Sequence, residues 1–165
     1  TLAGLLGRKA MGAAPAGTDP SFIYVFLQGG LSTIDTFDMK MDAPSSVRGS
    51  FSPISTKVPG IQICEHMPLM AKQMHNMAIV RSLSTREADH ARGRYYMHTG
   101  YVPNPNVEHP SYGAVIAHEL ADQVPDLEIP PFVSVGGGSV GPGFLGMAWA
   151  PFVVDSNGNV RNLDI

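Results

Sequence analysis

Apolar runs that end in glycine dominate the hydrophobic pattern after residue 20. Residues 22–27 (FIYVFL) form one such run, which ends at Gly29 and Gly30. Residues 77–83 (MAIVRSL) and 132–135 (FVSV) form two more, and three glycines at 136–138 end the last. Continuous runs of β-branched, aromatic and aliphatic residues predict strands that are buried in a parallel sheet. Residues 31–60 contain turn formers without a sustained period, which predicts a long irregular excursion.

Helical segments are predicted between these strands. Residues 67–75 (MPLMAKQMH) favour a short helix with Pro68 in its first turn, where a missing N–H costs nothing. Asp89 is a good N-cap and Gly100 a good C-cap for a second helix. Residues 110–123 predict a third helix. The alternation of strands and helices indicates an α/β fold, a doubly wound, mainly parallel sheet with flanking helices, of which the chain holds an incomplete part.

Composition narrows the possible functions. The chain has 165 residues, 44% of them hydrophobic, and a formal net charge of -3 with 11 Lys and Arg. That length fits one domain, and the acidity argues against nucleic acid as a partner. No apolar run approaches the roughly 20 residues of a membrane-spanning helix. The single cysteine, Cys64, lies in an alternating stretch and is interpreted as a half-buried small residue rather than a reactive thiol.

Both ends of the chain shape the expected organisation. Residues 1–20 are apolar and rich in small residues, with Arg8 and Lys9 behind the apolar run. This pattern predicts the tail of an export signal of the twin-arginine kind and a periplasmic or extracellular protein; the alternative is a frayed terminal helix. Residues 21–165 would form the folded part. Because the chain lacks an initiating Met and stops just after a turn-like segment at 155–159, we expect a fragment from the N-terminal half of a longer protein.

The densest group of chemically active residues lies on the second predicted helix. His90, Arg94 and His98 recur every four residues and would form one polar stripe. Two imidazoles and a guanidinium near a helix start suit an anion or a metal-bound oxyanion. The imidazoles could instead bind Zn²⁺, with Asp89 or Asp35 supplying oxygen. The alternative is a solvated, capped helix face.

Further candidates follow the first predicted strand. Asp35 and Asp38 lie three residues apart and could hold a divalent cation such as Zn²⁺, Ca²⁺ or Mg²⁺ on one side of a turn. Aspartates that cap their own backbone are an equally ordinary explanation. Gly29 and Gly30 would let the main chain approach a substrate closely, although turn sterics explain such a pair as well.

The order of motifs resembles a known family. Its members share segments like those at 26–40 (FLQGGLSTIDTFDMK), 58–72 (VPGIQICEHMPLMAK), 77–101 (MAIVRSLSTREADHARGRYYMHTGY), 109–120 (HPSYGAVIAHEL), 130–136 (PPFVSVG) and 142–146 (PGFLG). The chain resembles the exported family of domain of unknown function 1501, which is abundant in planctomycetes and related bacteria. This resemblance implies an alkaline-phosphatase-like fold related to sulfatases, with a metal site at the strand ends.

The resemblance also assigns positions. Thr99 and Gly100 match the end of the sulfatase helix, and counting back places the nucleophile on His90 and the motif's arginine on Arg94. His90 is neither Ser nor Cys, so hydrolysis through the usual covalent nucleophile is not expected. What is left is attack by metal-activated water, a displaced nucleophile such as Ser84 or Thr85, or no catalysis.

The paired aspartates that end the first sulfatase strand are replaced by Gly29 and Gly30, with Asp35 the nearest substitute. Our first hypothesis is a metal-dependent hydrolase of anionic esters, such as sulfated or phosphorylated glycans. Asp35 and Asp38 would hold the metal and His90 would bind it or replace the nucleophile, while Arg94 and His98 would hold the anion. The alternatives are a non-catalytic exported protein that binds a glycan or anion, and a subunit of a cell-surface assembly.

Overall fold

The chain folds as a mixture of short helices and small sheets. A computed structural model describes residues 21–120, 129–138 and 140–160. It divides into two compact units. The first unit is Val25–Thr85, and the second comprises the described residues of Arg86–Ile165 together with residues 21–24. The predicted export-signal tail at 1–20 lies outside the described residues.

An antiparallel hairpin opens the regular structure of the first unit. Strand β1 (Pro53–Ser55) pairs with strand β2 (Gln62–Cys64), so that Ile54 lies opposite Ile63. The prediction of an irregular excursion across 31–60 is therefore wrong at its end. A strand of three residues is too short to show the alternation by which strands are recognised, and its pairing depends on a partner elsewhere in the chain.

Helix α1 (Pro68–Gln73) and a 3₁₀ turn (Met74–Asn76) cover this hairpin. They confirm the helix predicted at 67–75, and Pro68 occupies its first turn. Ala71 and Met74 pack against Ile63 to form the buried core of the unit. Cys64, beside Ile63 on β2, is only 1% exposed, which fits its interpretation as a small packing residue.

The first two predicted strands are corrected by the structure. Residues 22–27 and 77–83 form no strand, and Ile23 is 84% exposed and Val80 70% exposed. A strand exists only when a neighbouring strand takes up its main-chain hydrogen bonds. Neither run has such a neighbour among the described residues, so the apolar composition of the run does not by itself produce a strand.

Two helices form the first part of the second unit. Helix α2 (His90–Thr99) begins after the N-cap Asp89 and ends at Gly100, whose backbone is left-handed with φ 78°. Both predicted caps are thus confirmed. Helix α3 (Tyr112–Leu120) confirms the helix predicted at 110–123 as far as Leu120, and residues 121–123 lie outside the described residues.

A parallel strand pair completes the second unit. Strand β3 (Val133–Val135) confirms the third predicted strand and pairs in parallel with β4 (Phe152–Val154). Two 3₁₀ turns, Gly143–Leu145 and Met147–Trp149, lie between these strands and pack against α3. Each sheet within the described residues has two strands. The structure thus supports a mixed α/β fold, but the doubly wound arrangement depends on strands that residues 22–27 and 77–83 do not form.

Candidate functional site

Arg94 lies against the glycine loop that follows strand β3. A Cβ atom added to Gly138 would stand 3.4 Å from the Arg94 Nη1 atom. Gly136, Gly137 and Gly138 all have positive φ, at 84°, 78° and 83°, which side chains on L-residues rarely tolerate. Helix α2 therefore places a guanidinium at the carboxyl end of a parallel strand, where open α/β sheets commonly bind ligands.

The main chain of this loop is partly available for a ligand. The amide of Gly136 donates to the Val154 carbonyl oxygen at 2.8 Å. Gly137 and Gly138 make no main-chain hydrogen bond with any residue that the structure describes. In the same part of the chain, no carboxylate forms an ion pair with Arg94. A guanidinium beside amides of this kind can donate hydrogen bonds to an anion.

His98 lies one helical turn after Arg94 and is buried, with 8% of its surface exposed. Burial lowers the pKa of the His98 imidazole below its ordinary value, and the positive charge of Arg94 lowers it further. His98 is therefore held in its neutral form at neutral pH. The predicted stripe of His90, Arg94 and His98 is thus real as a helix face, and it runs from an exposed end at His90 to a buried end at His98.

Tyr24 covers the buried end of this stripe. Its hydroxyl donates to the Met97 carbonyl oxygen at 3.1 Å, and its ring meets His98 edge to face with centroids 5.2 Å apart. Burial raises the pKa of Tyr24, and the neighbouring Tyr112 raises it further. Sequence reasoning missed Tyr24 because it lay within a run that predicted a strand, and the contact joins residues 73 positions apart.

Asp89 and His90 begin helix α2, where they have different surroundings. The Asp89 carboxylate accepts a hydrogen bond from the Arg92 amide at 2.9 Å, as an N-cap does. His90 is exposed at the first helical position. Asp89 therefore caps the helix, as the alternative interpretation expected, while the metal-binding roles of Asp89 and His90 stay predictions.

Asp35 and Asp38 lie in a turn of the first unit. The Asp35 carboxylate accepts a hydrogen bond from the Ser32 hydroxyl at 2.6 Å. Asp38 pairs with the Lys40 ammonium at 2.7 Å, and Arg81 lies 4.0 Å from its other oxygen. Both carboxylates therefore have side-chain partners, and among the described residues neither accepts the main-chain hydrogen bond that the ordinary turn interpretation expected.

Gly29 and Gly30 follow the exposed run at 22–27 rather than a strand. Gly29 has a φ of 76°, so this position favours glycine for backbone reasons. A Cβ atom at either glycine would meet nothing within 4 Å. The surrounding residues therefore neither support nor oppose the predicted contact of Gly29 and Gly30 with substrate, which stays a prediction.

The predicted site residues are divided between the two units. Asp35 and Asp38 belong to the first unit, whereas His90, Arg94 and His98 belong to the second. The second unit brings Arg94 together with His98 and with the glycine loop at 136–138. A common pocket that contains Asp35, His90 and Arg94 stays a prediction.

The fit of a metal ion can be judged from the donor atoms. No group of three or more His, Cys, Asp or Glu side chains in the described ranges is placed to hold one. Asp38 is neutralised by Lys40, and Asp89 is engaged as a helix cap. The described residues therefore do not make a metal site by themselves.

A second histidine cluster was not expected from the sequence. The Tyr95 hydroxyl accepts the His109 amide at 2.7 Å and lies 3.1 Å from the His109 Nδ1 atom. Tyr101 stacks on the His109 ring with centroids 4.2 Å apart and an interplanar angle of 5°. The cluster ties the end of α2 to the segment before α3.

One comparison with known proteins assigns the chain to a family. A family described as "Protein of unknown function (DUF1501)" matches residues 19–165. The chain belongs to this family. No curated protein and no solved structure matches the chain.

Membership in the DUF1501 family agrees with the resemblance drawn from the motif order. The match covers the helix that carries His90, Arg94 and His98 as well as the glycine loop at 136–138. None of the helices in the described part of the chain has the length and apolar character needed to span a membrane.

Proposed function

We propose that the chain recognises an oxyanion, a sulfate or phosphate group carried by an ester such as a modified glycan. The observation that carries this proposal is the position of the Arg94 guanidinium against Gly138, 3.4 Å from where a Cβ atom would stand. A Cβ atom there would be in van der Waals contact with the guanidinium, and the positive φ of Gly138 disfavours a side chain at this position. An oxyanion there would accept hydrogen bonds from Arg94 and from the amides of the loop.

The neighbouring His98 leaves the positive charge of the proposed site to Arg94. Because the pKa of His98 is lowered, the imidazole adds no second positive charge at neutral pH. It can still donate or accept one hydrogen bond at each nitrogen, according to its tautomer. Arg94 is therefore the residue on which affinity depends.

The test is a titration of the full chain with inorganic sulfate and phosphate, followed by amide chemical shifts in NMR. We expect shifts at Gly137 and Gly138 in the wild type. Arg94→Gln should weaken binding by roughly tenfold or more, the size of a lost charge-assisted hydrogen bond. Arg92→Gln is the matched control, since Arg92 lies on the same helix and pairs with Glu87 at 2.6 Å. Equal affinity of wild type and Arg94→Gln would refute the proposal.

Metal-dependent hydrolysis of the bound ester is the second candidate function, and the exposure of His90 favours it. His90 lies one turn before Arg94 on helix α2, so that a metal bound there would stand near the anion. A divalent ion such as Zn²⁺, Ca²⁺ or Mg²⁺ would polarise the ester or activate water. Asp35 and Asp38 would contribute ligands in this case only by giving up their protein partners.

Metal analysis separates the two candidates. In the hydrolase, the purified protein should contain a divalent metal, and His90→Ala and Asp35→Ala should each lower its content. Asp42→Ala serves as a control, because it removes an exposed carboxylate from the same unit as Asp35. Unchanged metal content in both variants would remove the metal assignment and leave anion recognition without turnover.

The finer assignments belong with this proposal. We infer that the chain is of the planctomycete, sulfatase-like type, that it is exported to the periplasm or beyond, and that it forms part of an alkaline-phosphatase-like sheet. Membership in the DUF1501 family supports the assignment to the planctomycete, sulfatase-like type, because the resemblance to that type was drawn from the motifs of this family. Export is tested by locating the tagged natural protein in cell fractions.

A further inference from the structure

A depression on the first unit is lined by none of the residues discussed as candidate sites. It has a volume of about 740 Å³ and opens to solvent beside strand β1 and helix α1. Ile54, Pro68 and Ala71 form its apolar part. Lys57, just beyond β1, is joined to the helix by a hydrogen bond from its amide to the Ala71 carbonyl oxygen at 3.0 Å.

The polar part of the depression has an uneven charge. Lys57 and Lys72 both line it, and they are two of the four lysines in the chain. His75 adds an imidazole from the 3₁₀ turn. No Asp or Glu belongs to the described residues that line it. In a chain with a net charge of -3, two lysines without a lining carboxylate form a local positive field.

The lysines are also not committed to ion pairs within the described ranges. The ion pairs there involve Lys40, Arg81, Arg92 and His118 as the basic partners. Lys57 and Lys72 are exposed, as is His75. A structural explanation would need a carboxylate that pairs with these lysines, and the described part of the first unit provides none.

We propose that this depression binds a small organic anion, a phosphate or phosphonate group attached to an apolar body. The ammonium groups of Lys57 and Lys72 would meet the anionic oxygens from two sides. The apolar body would cover Ile54 and Pro68 and remove their surface from water. Its lining does not include Arg94, which belongs to the other unit, and the proposal does not rest on the function proposed above.

The experiment is an NMR titration of the full chain with phenylphosphonate and, separately, with inorganic phosphate. We expect phenylphosphonate to shift the amides of residues 54–57 and 69–75. It should bind more tightly than inorganic phosphate because only the aryl compound covers the apolar part. The double variant Lys57→Gln/Lys72→Gln should weaken binding at these amides by roughly tenfold or more. The single variant Lys72→Arg leaves Lys57 intact and keeps the positive charge, so it should retain most of the wild-type affinity.

Lys40→Gln is the matched control, since Lys40 lies in the same unit but pairs with Asp38 at 2.7 Å. The affinity measured at the amides of residues 54–57 and 69–75 should stay within about twofold of wild type, because an exposed ion pair elsewhere in the unit contributes little. Absence of shifts at these amides, or equal affinity of the double variant and wild type, would overturn the proposal. If the titration shifts the amides of this depression but not those of Gly137 and Gly138, the result would count against the Arg94 site and leave this one standing.

Discussion

At the scale of single residues, His98 combines burial with a charged neighbour. It is 8% exposed, and Arg94 adds a positive charge one turn away on the same helix. The pKa of a histidine is about 6.5 in an unfolded chain. Because the folded pKa is lower, the unfolded chain takes up the proton first as the pH falls. The contribution of His98 to stability is therefore complete above about pH 6.5 and is lost as the pH falls toward the folded pKa.

This linkage gives a prediction about pH. We expect wild-type stability to fall more steeply between pH 7 and pH 5 than that of His98→Gln, which has no proton to gain. The measurement is urea unfolding followed by the fluorescence of Trp149, the only tryptophan, which lies in the same unit as His98. His90→Gln is the control, since His90 is an exposed histidine on the same helix. Identical slopes in wild type and His98→Gln would contradict the prediction.

Tyr95 gives a second prediction at this scale. Tyr95→Phe removes the acceptor of the His109 amide and the partner of its Nδ1 atom. We expect the free energy of unfolding to fall by about 1–3 kcal/mol, the cost of leaving such a group unsatisfied. Tyr101→Phe keeps the ring that stacks on His109 and should change stability by less than about 0.5 kcal/mol. Equal losses in both variants would show that the hydroxyl of Tyr95 has no special part.

At the scale of secondary-structure elements, two helical glycines have opposite surroundings. A Cβ atom at Gly113 on α3 would collide with the Phe132 ring, whereas one at Gly93 on α2 would meet nothing within 4 Å. Gly113→Ala should therefore destabilise the protein by about 1–3 kcal/mol through overpacking. Gly93→Ala should stabilise it by about 0.5–1 kcal/mol because alanine favours the helix. Thermal unfolding of both variants checks this, and a stabilising Gly113→Ala would contradict the packing.

The helix cap gives a further prediction for α2. Asp89→Ala removes the acceptor for the Arg92 amide and should cost about 0.5–2 kcal/mol. Asp89→Asn keeps a side-chain oxygen at the same position and should cost much less. Urea unfolding of the two variants compares them. A large loss in Asp89→Asn as well would indicate that the charge, rather than the cap, is what matters.

The elements also show how far sequence patterns reach. Helix α2 was predicted with both caps, because Asp89 and Gly100 act through neighbours within a few positions along the chain. The strand at 133–135 was predicted, but the runs at 22–27 and 77–83 were not strands, because pairing depends on residues far away in the chain. The hairpin of β1 and β2 was missed for the same reason.

The candidate site divides in the same way. The face that carries His90, Arg94 and His98 follows from helical spacing alone. The approach of Arg94 to Gly138 and the contact of Tyr24 with His98 bring together residues that are distant in sequence. No local pattern specifies such contacts, so the sequence could name the residues of the site but not the surface against which they lie.

At the scale of the whole molecule, modest charge accompanies exposed apolar side chains. The sequence pI is about 6.0, and Met147 is 81% exposed. Net charge keeps molecules apart, so solubility should be lowest near pH 6, where that charge vanishes. Turbidity measured across pH 4.5 to 8 is expected to peak there. Arg48→Gln removes one exposed positive charge and should move the peak to lower pH, whereas a peak that stays fixed would point to a cause other than net charge.

The glycine loop at 136–138 has a consequence for how ligand preference could diverge among related proteins. Its three residues offer only main-chain atoms to whatever reaches Arg94 from that side, and their positive φ angles penalise replacement by other amino acids. Selection therefore has few substitutions to try on this wall of the site. New specificity would have to arise on helix α2, where exchanges around Arg94 can alter the neighbours of the guanidinium while the loop keeps its shape.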